Sequence, residues 1–93
     1  MAREECFPLL PYYLILCRSL TYAQRTASVL ARVGITAPIQ RAPGSIAEEG
    51  CTHALRVTEQ ELHKALAALA RANMTPSRIF LNEQDGRYRE VAF

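Results

Sequence analysis

The apolar residues in the first third of the chain change from a compact run to helical spacing. Residues 12–17 form a short apolar run with aromatic and β-branched members, which predicts a central strand. Helical spacing then predicts a helix that starts at Ser19 or Thr21, either of which can cap its first amides, and that ends at Val33. Gly34 suits the left-handed position that follows many helices.

The middle of the chain alternates between apolar and polar positions. Alternation over residues 35–40 predicts a half-buried strand, and Pro38 places it at a sheet edge because proline cannot donate to a ladder. Residues 42–50 are rich in turn formers and predict an exposed loop, with one helical turn from Ser45. Residues 52–57 then predict a third strand.

The last third repeats the change from strand to helix to strand. Thr58 opens a capping-box pattern, and helical spacing continues to Asn73, which suits a left-handed terminator. Residues 78–82 predict a fourth strand. The Asp-Gly step at 85–86 is a strong hairpin signal and leads to a short strand over residues 87–91.

The order of these elements predicts an α+β fold. Strand, helix, strand, strand, helix, strand is the βαββαβ order of ferredoxin-like two-layer sandwiches, here with a C-terminal β-hairpin extension. We assign residues 12–93 to one such domain and residues 1–11 to a flexible N-terminal segment.

Size and charge narrow the function classes. A chain of 93 residues with 49% hydrophobic side chains can build one core and has no room for a second. The eleven basic and nine acidic side chains are scattered and give a net charge of +2. No patch of one sign stands out, so neither nucleic acid nor a membrane surface is expected as a partner.

The N-terminus and the cysteines predict a cytoplasmic location. Residues 1–13 lack the basic start of a signal peptide, and no apolar stretch reaches the roughly 20 residues that cross a bilayer. The three cysteines are odd in number and lack metal-ligand spacing. This usage favours reduced thiols in a reducing compartment over a secreted disulfide framework.

The predicted topology gathers polar chemistry at one rim of the sheet. In the ferredoxin-like strand order 4-1-3-2, the end of the first strand lies beside the start of the third, so Cys17 and Cys51 become neighbours. Arg18, Arg41 and the turn at 73–77 belong to the same rim. Cations and a helix N-terminus lower the pKa of a thiol, whereas the two glutamates before Cys51 raise it if they lie close. The sequence leaves the net sign open.

The histidine after the loop has two interpretations. His53 lies two positions after Cys51, so in an extended strand both side chains share a face and can form a Cys-His pair. The alternative is a histidine satisfied in or beside the core. Cys51 likewise is either a reachable thiol or a small buried hydrophobe, whereas Cys17 suits core or rim packing and Cys6 suits an incidental terminal position.

Three stretches of the chain carry a family resemblance. They are residues 12–16 with Ser19, the Gly34-Ile35 step, and the segment that runs from Pro43 through Gly50-Cys51 to Ala54-Leu55-Arg56. Together they resemble the small bacterial selenium/sulfur carrier protein-like family, a family of unknown function, over residues 12–80. Two positions depart from its pattern, since Thr52 stands where glycine is usual and Gly44 where a basic residue is common.

The resemblance implies a carrier whose thiol belongs to Cys51. That thiol would accept sulfur or selenium as a persulfide or selenosulfide from a donor such as a cysteine desulfurase and pass it to an acceptor protein. Arg18 or Arg41 would stabilise the anion, with His53 nearby and Cys17 as a resolving thiol. No cofactor beyond the covalent atom is implied, and such a carrier is not itself expected to be an enzyme.

Two other functions remain open from the residues alone. A noncatalytic ferredoxin-like regulatory or interaction module, pairing as a homodimer through an exposed sheet or edge, needs no reactive thiol. A metal chaperone would need paired ligands, and only Cys17, Cys51 and His53 are candidates.

Overall fold

The computed structural model describes residues 12–47, 52–83 and 87–91 of the 93-residue chain. The predictions for the N-terminal segment 1–11, for Cys6, for the Asp-Gly step at 85–86 and for Cys51 with the two glutamates before it lie outside the described residues. In the described parts the elements are β1 (Tyr12–Cys17), α1 (Leu20–Arg32), β2 (Ile39–Arg41), β3 (His53–Thr58), α2 (Glu59–Arg71), β4 (Arg78–Asn82) and β5 (Tyr88–Val91).

One sheet contains all the described strands. Its order is β2-β3-β1-β4-β5, and every neighbouring pair is antiparallel. β1 therefore lies between β3 and β4, and β5 adds a fifth strand at the edge of β4. The predicted α+β class is confirmed, with two helices packed on a five-stranded sheet.

Local capping fixes the ends of both helices. Ser19 is the N-cap of α1, because its Oγ accepts a hydrogen bond of 3.0 Å from the amide of Tyr22. Thr58 and Glu61 form the predicted reciprocal capping box at the start of α2. Gly34 and Asn73 follow the two helices with φ values of 85° and 61°, the left-handed conformation predicted for them.

The second strand starts later than the sequence predicted. Alternation predicts a strand over residues 35–40, but β2 spans Ile39–Arg41. Pro38 explains the difference, since it has no amide hydrogen to donate and the ladder begins only after it. Its carbonyl still accepts a hydrogen bond of 3.1 Å from the amide of Arg56. Ile35 and Ala37 are buried outside the ladder.

The main core lies between the helices and one face of the sheet. Its fully buried large side chains come from both helices and from the three inner strands, and they are Ile15, Leu30, Leu55, Leu69 and Ile79. Neither helix of the described residues has the length and apolar character needed to span a membrane.

A second cluster covers part of the opposite face of the sheet. Leu14, Leu16, Ala54 and Phe80 are buried there, and Ile46 from the β2–β3 connection packs onto them with 6% of its surface exposed. The prediction of a wholly exposed loop over residues 42–50 is therefore wrong at Ile46. β1 is apolar on both faces, so the face that the helices leave open also needs a cover, and the loop supplies it with Ile46.

The turn that carries Ile46 begins before the predicted Ser45. The carbonyl of Pro43 accepts hydrogen bonds from the amides of Ile46 and Ala47, at 3.0 and 2.9 Å. This turn points Ile46 towards the sheet. Residues 43–47 of the β2–β3 loop are therefore held in place by the packing of Ile46 and by the hydrogen bonds of the Pro43 carbonyl.

Candidate functional site at the rim of the sheet

The rim where β1 ends brings three of the predicted site residues into one row. In the strand register Cys17 is opposite His53, and His53 is opposite Arg41. The pairing continues one residue further, because the amide of Ala42 donates a hydrogen bond of 2.8 Å to the carbonyl of Thr52. The described ends of the β2–β3 loop are thus held together at this rim.

Cys51, the residue on which the chemical hypothesis depends, lies outside the described residues. The described residues on either side of that gap, Ala47 and Thr52, are both exposed. Thr52 follows Cys51 directly and precedes β3, so the covalent chain attaches the thiol to the described rim.

Cys17 lies inside the core. Its side chain is fully buried, and its Sγ lies 3.7 Å from the carbonyl oxygen of Ile15, to which it donates a hydrogen bond. It packs in the main core with Ala23 and Leu30 from α1. Reaction at this sulfur would require the end of β1 to open, so the packing interpretation of Cys17 fits the structure better than a resolving role.

Arg18 lies at the rim but stacks on an aromatic ring. Its guanidinium carbon is 4.5 Å from the centroid of the Tyr22 ring. The Tyr22 hydroxyl accepts a hydrogen bond from the amide of Thr75 at 3.0 Å and donates one to the Thr75 carbonyl at 3.2 Å. The first turn of α1 is thereby joined to the turn after α2, and Ser77 joins that turn to β1 through the carbonyl of Leu16.

The contact between the Tyr22 hydroxyl and the Thr75 backbone, which we call the tyrosine clamp, has no local signal in the sequence. Tyr22 and Thr75 are 53 positions apart, and neither belongs to a recognisable motif. Their contact could be foreseen only once the topology had placed the turn at 73–77 beside the start of α1, as the predicted rim required. The clamp therefore adds Tyr22 and Thr75 to the residues that build the candidate site.

His53 is half-buried and has a local partner. Its Nδ1 lies 3.2 Å from the hydroxyl oxygen of Thr52, with the direction of the hydrogen bond set by the histidine tautomer. The side chain of Thr52 thus helps to orient His53, a role that the sequence pattern did not predict. In the described parts of the chain, no three histidine, cysteine, aspartate or glutamate residues gather closely enough to hold a metal ion.

The exposed arginines of the rim differ from those of the sheet edge. On β4 and β5, Arg78 pairs with Glu90 at 2.6 Å, and Arg89 pairs with Glu83 at 2.8 Å. Within residues 12–47, 52–83 and 87–91, neither Arg18 nor Arg41 forms an ion pair. Both guanidinium groups are exposed to solvent and can meet an anion there.

The aromatic residues of the sheet pack against their own neighbours. Arg56 places its guanidinium carbon 5.0 Å from the centroid of the Tyr12 ring, and Phe80 is 7% exposed. Burial raises the pKa of Tyr88 above its ordinary value of 10.0, and a hydrogen bond with Tyr12 raises it further. These contacts are typical of packed aromatic side chains and not of an open sheet surface on which RNA bases stack.

Comparison with known proteins places this geometry in a family. The profile of the family described as Putative Se/S carrier protein-like matches residues 12–81, from the first residue of β1 almost to the end of β4. The matched region includes the whole β2–β3 loop and the row of Cys17, His53 and Arg41 at the rim. Searches of curated proteins and of solved structures return no match.

Proposed function

The chain belongs to the Se/S carrier protein-like family, and on that premise we propose that it carries a sulfur or selenium atom on Sγ of Cys51. The observation that carries this proposal is the family match over residues 12–81, which includes the only cysteine in the loop that returns to the rim. The donor is a protein persulfide such as that of a cysteine desulfurase, and the acceptor is a second protein.

Transfer to the carrier is an exchange without net oxidation. The Cys51 thiolate attacks the outer sulfur of the donor persulfide, a new sulfur–sulfur bond forms on Sγ, and the donor leaves as its own thiolate. Delivery repeats the step, since an acceptor thiolate attacks the outer sulfur and Cys51 leaves as a thiolate. Selenium follows the same course through a selenosulfide bond.

Anion stabilisation at the rim supports this chemistry. A thiolate and a persulfide anion are both favoured by nearby cations and by a helix N-terminus. Arg18 and Arg41 are exposed cations without ion pairs among the described residues, and α1 begins directly after Ser19. Thr52 and His53 extend the polar part of the rim, while Cys17 serves as a packed neighbour beneath it.

A carrier of this kind needs a frame more than a catalytic apparatus. The first four strands have the order 4-1-3-2 when counted from the β4 side, which supports assigning a ferredoxin-like arrangement extended by β5. We assign no catalytic residue to the chain itself. Transfer of the outer sulfur requires the attacking thiols of Cys51 and of the acceptor protein to be reduced. We therefore propose that the carrier acts in a reducing compartment such as the bacterial cytoplasm.

Loading by a cysteine desulfurase tests the proposal directly. The purified chain is incubated with the enzyme and L-cysteine, and its intact mass is then measured without reductant. We expect the mass to rise by one sulfur atom in the wild type and in the matched control Cys6→Ser, but not in Cys51→Ser. An unchanged mass in the wild type would refute the carrier role.

Alkylation gives an independent measurement of the thiol. The rate of iodoacetamide modification at Cys51, followed by peptide mass spectrometry between pH 6 and 9, reports its thiolate fraction. A rate above that of a model thiol at neutral pH supports activation by the rim cations. A rate no greater than that of the model thiol would favour the noncatalytic interaction module instead.

A further inference from the structure

The outer surface of α1 carries positive charge without any negative charge. The helix sequence contains Arg25 and Arg32 and no aspartate or glutamate, and Arg18 precedes its N-cap. Arg25 and Arg32 are seven residues apart, so they lie about two turns and roughly 10 Å apart on one side of the helix. Arg18 stands at the end of α1 that meets the rim.

A groove lies between these arginines and the end of α2. It has a volume of about 430 Å³ and is lined by Arg25, Ser28, Val29, Arg32, Ala72 and Met74. We refer to these six residues as the α1 groove. Met74 is buried to 9% exposure and, with Val29 and Ala72, gives the groove an apolar part beside its two guanidinium groups.

The charges of the α1 groove are not used inside the described fold. Neither Arg25 nor Arg32 forms an ion pair within the described ranges, in contrast to Arg78 and Arg89 on the sheet. On α2, the carboxylate of Glu61 accepts a hydrogen bond from the Thr58 amide in the capping box. Two unpaired cations on one rigid helix face therefore point to a partner outside the chain.

We propose that the α1 groove docks an acidic surface of the protein that donates sulfur or selenium, an inference that rests on the proposed carrier function. Guanidinium groups bind carboxylates in bidentate pairs, and the apolar strip at Met74 accommodates one apolar side chain of the partner. A partner lying along α1 reaches Arg18 and the rim, so docking brings its persulfide to the end of the sheet where Thr52 precedes β3.

Nucleic acid fits these observations less well. The net charge of the chain is only +2, and the described aromatic side chains of the sheet pack against the protein. A phosphate backbone is bound through many cations, whereas the α1 groove offers two. A protein with clustered carboxylates matches both the number of charges and the apolar strip.

Charge reversal tests the docking surface with a closely matched control. Arg25→Glu/Arg32→Glu reverses the groove, and Lys64→Glu/Arg71→Glu makes the same change of charge at the same spacing on α2, whose Lys64 and Arg71 do not line the groove. Binding of each variant to the cysteine desulfurase is followed by biolayer interferometry, and loading of Cys51 by mass spectrometry. Circular dichroism confirms that each variant folds.

The expected result is specific to the groove. Arg25→Glu/Arg32→Glu should lower the association rate and the second-order loading rate about tenfold at low salt, while the α2 variant stays within about twofold of the wild type. The difference should shrink between about 50 mM and about 300 mM salt, because the screening length falls by more than half. Equal effects of the two double variants, or none, would overturn the docking proposal.

Failure of docking and failure of the carrier role give different results. If wild-type Cys51 is loaded but the groove variant loads equally fast, the carrier role stands and the groove proposal falls. If Cys51 is never loaded, the carrier role falls and the docking proposal is judged by the binding measurement alone. A complex with the desulfurase that weakens in the groove variant would then still support the docking proposal. The docking proposal is overturned if the wild type forms no complex with the desulfurase. It is also overturned if the groove binds a single-stranded RNA oligonucleotide and not the desulfurase.

Discussion

The tyrosine clamp between α1 and the turn after α2 offers a sharp test of how the rim is built. Tyr22→Phe removes one oxygen atom and keeps the ring on which Arg18 stacks. The lost hydroxyl accepts from the Thr75 amide at 3.0 Å and donates to the Thr75 carbonyl at 3.2 Å. No other element is changed, so the variant isolates the two hydrogen bonds that join these segments.

The expected loss follows from the number and exposure of those bonds. A neutral intramolecular hydrogen bond contributes about 0.5–1.5 kcal/mol, because the unfolded chain bonds to water instead. Thr75 is exposed, so water can replace the lost hydroxyl on its amide and carbonyl, which keeps the cost at the lower end. For the two bonds together we expect about 1–2 kcal/mol, with a fall in Tm of roughly 4–8 °C per kcal/mol for a domain of this size.

Urea unfolding of the wild type and two tyrosine variants measures this loss. Tyr13→Phe is the matched control, because Tyr13 is half-buried on β1 and its hydroxyl has no hydrogen bond within the described residues. We expect the control to lie within about 0.5 kcal/mol of the wild type and the Thr75 amide to exchange hydrogen faster only in Tyr22→Phe. Equal free energies of unfolding for the two variants would refute the clamp.

Three further changes test other parts of the frame. Thr58→Ala removes the N-cap of α2 and should lower the free energy of unfolding in urea by about 1 kcal/mol. Thr21 is exposed and caps no helix, so Thr21→Ala should leave the free energy of unfolding unchanged. Equal effects of the two substitutions would contradict the capping assignment. Ile46→Ala should cost about 2 kcal/mol and speed alkylation of Cys51 by loosening the loop, and an unchanged stability would show that Ile46 does not hold it. The hydrogen bond from Arg78 lowers the pKa of Glu90 below its ordinary 4.5, so the pair stabilises the fold above pH 4.5 and stops doing so as the pH falls through the lowered pKa. The difference in Tm between the wild type and Glu90→Gln should therefore disappear at a pH below the lowered pKa. A difference that persists in acid would argue against the pair.

The parts of the fold that the sequence predicted correctly depend on residues close together in the chain. Ser19 and Thr58 cap helices through amides three positions away, and Gly34 and Asn73 end them through their own backbone conformation. The α+β class also followed from local patterns, because they predicted the succession of helices and strands along the chain. These features need no knowledge of distant contacts.

The features that were missed depend on contacts between distant segments. Ile46 is buried by Leu14, Ala54 and Phe80, which come from three different strands. One signal was present, since the run at 12–17 is apolar at consecutive positions and must be covered on both faces. Pattern alone could not say that the covering residue comes from the turn-rich loop. The hydrogen bonds between Tyr22 and Thr75 were missed for the same reason, since the two residues are 53 positions apart.

The distribution of the exposed arginines separates what stabilises this fold from what can recognise a partner. Arg78 and Arg89 have carboxylate partners on the sheet, so neutralising either leaves a glutamate without its counter-charge. Arg25 and Arg32 have no carboxylate partner among the described residues, so Arg25→Gln/Arg32→Gln removes two like charges from one helix face and breaks no ion pair. That variant should therefore be at least as stable as the wild type and yet bind the desulfurase more slowly. A loss of stability with unchanged binding would instead assign these two arginines to the fold.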